Sequence, residues 1–193
     1  MTCLSAPRLT LFFVTLALGA CVAVAEVAVP PRPVPYAEPT PATEPGPESE
    51  PSDEVIGPRF GGNGGTPARV RCPGVNGLQG QSGNLIDRSG LICFMEDQVW
   101  DSPAYGGTGG NRFQKLCPPG ARAVGVVGRS GELVDALGLR CSDSSGQLSL
   151  TDVQGGGGGT AFEWLCPAGL ALIGLDLMVG MYVDSVAPVC ARR

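Results

Sequence analysis

The chain has 193 residues, enough for one domain with appendages. It contains no histidine, which removes the commonest general base and the commonest metal ligand from any mechanism. The formal charge of −5 points away from nucleic acid, and no CxxC pair suggests a metal.

Residues 1–20 read as an export signal. Arg8 closes a short basic start, and the apolar run "LTLFFVTLALGA" (9–20) suits the apolar segment of a signal peptide while being too short to span a bilayer. Two cleavage readings compete. "LGAC" (18–21) has the form of a bacterial lipobox, which would make Cys21 the first mature residue and its lipid-bearing end; "AVA" (23–25) has the form of an ordinary signal-peptidase site before Glu26. The lipobox is preferred because the apolar run ends at Cys21. Either way the product is exported, and an envelope lipoprotein on the outer membrane or cell surface is expected over a freely secreted one. Any membrane contact is expected through that lipid only.

Residues 21–58 are expected to be a disordered tether. Proline recurs every few residues from Pro30 onward, acids outnumber the lone base Arg32, and too few apolar groups are present to offset the entropy of ordering. Such a chain stays extended, at about 3.1 Å per residue in polyproline geometry. The tether carries most of the acidity, and beyond it bases and acids nearly balance.

Residues 59–193 contain a threefold repeat, with units near 61–105, 106–154 and 155–193. Glycine clusters open the units: "GGNGG" (61–65), "GGTGG" (106–110) and "GGGGG" (155–159). A Cys-Pro pair follows each, at Cys72, Cys117 and Cys166. A Gly-x-x-x-Asp stretch comes next, "GNLID" (83–87), "GELVD" (131–135) and "GMYVD" (180–184), and then a second cysteine at Cys93, Cys141 and Cys190. Chance does not place four landmarks in register three times. Stretches such as "ARAVGVVG" (121–128) are rich in Val and broken by Gly, which predicts strands. "LALIGLDLMVGMYVD" (170–184) could pass for a buried helix, but its register with the other units argues for strand.

Of the eight cysteines, Cys3 leaves with the signal and Cys21 is the lipid candidate, so six remain in an exported chain and read as disulfides. Three of the fifteen connectivities treat the units alike, and the simplest is Cys72–Cys93, Cys117–Cys141 and Cys166–Cys190. Each would contribute on the order of 3 kcal/mol in the chain-entropy model, which units too small to hold a core alone require. Units one and two are followed by connecting pieces, and unit three is not. The segment 53–60 sits before the first glycine cluster as the connectors sit before the others, with Phe60 in the place of Tyr105. It is therefore expected to pack on unit three and close a ring.

Three units opening "GG-x-GG" and holding "G-x-x-x-D" resemble the β-prism I fold of jacalin-type lectins, three Greek-key units about a pseudo-threefold axis. The "CP-x-G…D-x-x-x-x-x-C" framework is similar to that of vitelline membrane outer layer protein I, which shares the fold. The resemblance to the lectins implies an all-β domain that binds carbohydrate without catalysis, metal or cofactor. It implies a site at Gly180, Met181, Tyr182 and Asp184, facing the glycine-rich loop at Gly61 and Gly62, with weaker candidates at Gly83 and Asp87 and at Gly131 and Asp135. The chemistry fits: a carboxylate accepts charge-assisted hydrogen bonds from sugar hydroxyls, and glycine lets backbone approach closely. Trp100 and Trp164 read equally well as packing residues or sugar platforms.

A second reading is a disulfide-stapled structural or protein-interaction surface protein of the vitelline membrane type, without sugar binding. In it each Asp only satisfies turn N–H groups. An enzyme acting on glycans would need two carboxylates across one cleft, and none is expected. Homo-oligomerisation is left open.

Overall fold

The protein is described by a computed structural model over residues 53–192. The expected export signal, the lipid candidate Cys21 and nearly all of the tether lie outside the described residues.

Fifteen strands and no helix make up the described chain: β1 (Val55–Ile56), β2 (Phe60–Gly61), β3 (Thr66–Arg71), β4 (Val75–Ser82), β5 (Ile86–Met95), β6 (Gln98–Asp101), β7 (Tyr105–Gly106), β8 (Asn111–Leu116), β9 (Arg122–Ser130), β10 (Val134–Ser142), β11 (Leu148–Leu150), β12 (Gln154–Gly155), β13 (Thr160–Leu165), β14 (Ala171–Val179) and β15 (Val183–Ala191). They form three antiparallel sheets. One has the order β6-β5-β4-β8 with β7 on β5, the next β11-β10-β9-β13 with β12 on β10, and the third β1-β15-β14-β3 with β2 on β15. The first two are Greek keys, since the last strand returns beside the first. The third has the same form but takes β1, β2 and β3 from the start of the described chain. Val55 pairs with Cys190, Phe60 with Val186 and Arg71 with Gly174, so the ring closes as the position of 53–60 leads one to expect. The apolar run 170–184 is strand β14 and the turn after it.

The sheets do not coincide with the sequence repeats. Each takes its long central hairpin from one repeat and its outer strand from the next glycine cluster onward. This changes what the disulfides do. Cys72–Cys93, Cys117–Cys141 and Cys166–Cys190 each join two cysteines of one repeat, at separations of 21, 24 and 24 residues. Cys72 continues β3, however, while Cys93 lies on β5, in a different sheet. Cys117 and Cys166 likewise follow β8 and β13 and reach β10 and β15. The three bridges therefore staple the sheets to one another in a cycle.

The core lies where the inner faces meet. Leu78 and Leu91, Leu137 and Leu139, and Leu175 and Leu177 are each at most 1% exposed, one pair from each sheet. Burial of such a side chain contributes roughly 1.5–3 kcal/mol. Phe60 stacks on Phe162 with ring centroids 4.1 Å apart, which packs the third sheet against the second.

Candidate functional site

Each Gly-x-x-x-Asp stretch is a hairpin turn followed by a bulge. Ser82 pairs with Ile86, Ser130 with Val134 and Val179 with Val183, which leaves three-residue turns at 83–85, 131–133 and 180–182. The turns are alike, because the Gly N–H donates to the carbonyl two residues on: Gly83 to Leu85 (3.0 Å), Gly131 to Leu133 (3.0 Å) and Gly180 to Tyr182 (2.9 Å). The ladders then skip one residue, and in all three sheets the skipped residue is the aspartate, Asp87, Asp135 or Asp184. A bulge of this kind re-aims a side chain out of the regular alternation. The residue before it, Ile86, Val134 or Val183, is wholly buried and anchors the corner in the core.

The glycine clusters wrap these carboxylates. Gly62 N–H donates to the Asp184 carbonyl (2.9 Å), and Gly107 and Gly156 do the same to Asp87 (2.8 Å) and Asp135 (2.9 Å). A β-carbon at Gly64 would lie 2.5 Å from Asp184 Oδ1, and one at Gly65 would lie 2.7 Å from Oδ2. Gly61 and Gly65 also take φ of 113° and 78°, in the left-handed region that side chains disfavour. So the cluster is glycine because its backbone closes directly over the carboxylate. Gly109 and Gly110 stand in the same relation to Asp87, and Gly158 and Gly159 to Asp135. The third cluster, permissive by composition, is held by Arg129, whose guanidinium donates to the Gly158 and Gly159 carbonyls at 2.7 Å each.

None of the three carboxylates accepts a hydrogen bond from another described residue, so they are not spent on turn N–H groups. Asp184 Oδ2 is buried with no partner at all. A buried carboxylate oxygen without a donor is costly, and this one sits between Gly65 and Gly180, beside exposed surface at Gly64. Among the described residues, no three of His, Cys, Asp and Glu come together as a metal site would need.

The structure brings Asp184, Gly180, Gly61 and Gly62 together, with Tyr182 contributing its carbonyl to the turn. Met181 faces elsewhere: a β-carbon at Gly107 would meet the Met181 carbonyl, which places Met181 beside the Asp87 corner. By the same rotation Glu132 lies against Gly62, and Asn84 against Gly156. Each corner is thus composite, with an aspartate and a glycine loop on one sheet and the tip of the neighbouring sheet's turn. Glu132 belongs to the Asp184 corner, and sequence reading missed it because nothing in one repeat says which neighbour it touches. Neither tryptophan serves as a platform here. Trp164 packs where Gly57 and Pro188 meet, and Trp100 pairs with Cys93 at the far end of β5.

The fold is the β-prism, shared with solved jacalin-related lectins. No protein-family model and no curated protein matches the chain. Solved structures of the same fold include Malaysian banana lectin, with a TM-score of 0.59 and 18% identity over 72% of this chain and 99% of that one. They include frutalin from Artocarpus incisa, with 0.61 and 15% over 75% and 99%. A mannose-specific jacalin-related lectin from Morus nigra, solved in complex with mannose, gives 0.62 and 17% over 75% and 98%.

Proposed function

We propose that the protein binds carbohydrate without catalysis through the corner built by Asp184, Gly180, Tyr182 and the glycine loop at Gly61 and Gly62, with Glu132 and the backbone around Gly64 and Gly65 completing its wall. The observation that carries this reading is the Asp184 carboxylate, buried at one oxygen without a donor and enclosed by glycine backbone. Sugar hydroxyls would supply the missing donors, and charge-assisted bonds of this kind are the stronger ones. The corners at Asp87, with Gly83 and Met181, and at Asp135, with Gly131 and Asn84, are secondary sites of the same design. The lectin structures that share the fold, one of them holding mannose, support the substrate class. A glycan array followed by titration calorimetry tests it. Saturable binding of at least one glycan, weakened about tenfold or more in Asp184→Asn, is expected. No bound glycan, or unchanged affinity in Asp184→Ala, removes the assignment.

The same proposal includes display from an envelope, with Cys21 as the lipid-bearing residue. The motivation is the form of "LGAC" (18–21) at the end of the apolar run, which would make Cys21 the first mature residue. Intact mass of the mature protein decides the anchor, since a chain beginning at diacylated Cys21 and one beginning at free Glu26 differ by the lipid and by residues 21–25.

A second reading, a structural or interaction block, is favoured by one feature, the cyclic stapling of three sheets by disulfides. It expects empty glycan arrays from a correctly oxidised protein.

A further inference from the structure

The far end of the prism holds a second candidate site. There the sheets again bulge in concert, at Asn76, Val124 and Ile173, whose carbonyls accept the N–H of Cys117, Cys166 and Cys72 at 2.8 Å each. The residues just before these bulges, Val75, Ala123 and Leu172, are equivalent, and each pairs with the second cysteine of its repeat. All three line one cavity of about 270 Å³, as do the residues before them, Gly74, Arg122 and Ala171. A cavity lined by equivalent residues of all three sheets lies on the pseudo-threefold axis.

Its lining breaks the symmetry. The span from Cys72 to Val75 is three residues shorter than the matching spans from Cys117 to Ala123 and from Cys166 to Leu172, which fold into turns closed by Ala121 N–H to Pro118 O and Leu170 N–H to Pro167 O (3.0 Å each). No such turn stands over Gly74. The Phe94 ring lies there instead, 2.5 Å from where a β-carbon of Gly74 would be, and forms one wall. The positions matching Phe94 are Ser142 and Ala191. Beyond Phe94 the wall ends at Glu96, the only non-glycine residue with left-handed φ (54°) among the described residues. Glu96 and Asp97 make a two-residue hairpin turn with positive φ at its first residue only, a position that favours glycine. A charged residue kept in a strained conformation at a cavity mouth points to use. Arg122 is the only cation of the lining and Glu96 the only acid. Neither has an ion-pair or side-chain hydrogen-bond partner among the described residues.

We infer that this axial cavity binds a free apolar α-amino acid, with its side chain between Phe94 and the Val75, Ala123 and Leu172 floor, its carboxylate on Arg122 and its ammonium on Glu96. The volume suits such a body, being nearly twice the roughly 150 Å³ that holds benzene. The guanidinium fork suits a carboxylate. Arg122 and Glu96 are both exposed at the mouth, so a ligand carrying both charges gains two solvent-screened ion pairs that a purely apolar ligand lacks.

Titration calorimetry on the oxidised full chain tests this with L-phenylalanine, phenylacetate and phenethylamine as probes. L-phenylalanine is expected to saturate with a Kd of about 1 mM or tighter, and each single-charge probe to bind about tenfold more weakly. Arg122→Gln should erase the advantage of L-phenylalanine over phenethylamine. Glu96→Gly should erase its advantage over phenylacetate while raising the thermal midpoint, because glycine relieves the turn. Asp184→Ala should change neither, which separates this cavity from the glycine corners. Absence of saturation by L-phenylalanine, equal affinity for the three probes, or loss of binding in Asp184→Ala overturns the inference.

Discussion

At the scale of single residues, two sequence motifs prove to be halves of one object. Asp184 is the bulge residue of its hairpin, and Gly64 and Gly65 leave room for its carboxylate. Gly65→Ala adds a β-carbon at a φ of 78° and against Val179 backbone, and is expected to cost about 1–2 kcal/mol in urea unfolding. Gly64→Ala has no such backbone strain but pushes on Oδ1, so it should weaken glycan binding more than it lowers stability. Asp184→Asn should move the two properties in opposite directions. It replaces a carboxylate whose Oδ2 is buried without a donor, so stability should hold or rise by up to about 1 kcal/mol while binding falls. A corner that served only the fold would lose stability in all three variants. The repeated Gly and Asp were legible because their spacing recurs three times. The bulge was not, because a skipped ladder position leaves no mark on composition.

At the scale of elements, the short strands β1 and β2 matter more than their length suggests. They cover the outer edge of β15, and an ion cluster fastens them. Arg71, at the end of β3, donates to Asp176 Oδ1 (2.9 Å) and to Glu54 Oε1 (3.2 Å), so one guanidinium ties β14 to the segment just before β1. Burial opposes the charge on Arg71, but the hydrogen bonds to Asp176 and Glu54 outweigh it and hold the pKa above the ordinary arginine value. Asp176 is only 8% exposed. Asp176→Asn leaves Arg71 half-buried with a weaker partner, and is expected to cost about 2 kcal/mol, less than a fully buried pair because Arg71 still reaches water and Glu54. Denaturant midpoints of Asp176→Asn and Glu54→Gln, with the first clearly the larger effect, would bear this out. Equal small effects would mean that backbone pairing alone holds the strap. From the sequence, 53–60 was legible as the missing connector by position. Arg71 and Asp176, 105 residues apart, carry no local signal of their meeting.

At the scale of the whole molecule, the ring is closed by chain from both ends of the described residues, and three disulfides tie its sheets in a cycle. Removing 53–61 should therefore damage the prism out of proportion to its size, since it deletes β1, β2 and the first glycine of the Asp184 corner and bares β15. We expect a lower thermal midpoint and faster amide exchange along β15. Removal of 1–52 alone should leave both unchanged, because the strands that close the ring, β1 and β2, begin at Val55. Similar exchange in the two truncations would show that the ring does not depend on this closure.

The sequence alone determined the number of repeats, their all-β character and the positions of the aspartates, and it narrowed the cysteine pairings to three, because each is written locally and repeated in register. Only the tertiary structure decided which sheet each strand joins, and from that everything between repeats. The disulfides cross sheets, Glu132 stands at the Asp184 corner while Met181 stands at the Asp87 corner, and one axial cavity opens where the turn after a cysteine is too short. A rotation about an axis relates neighbours that are far apart in the chain, and its direction is set by strand twist and packing of the shared core.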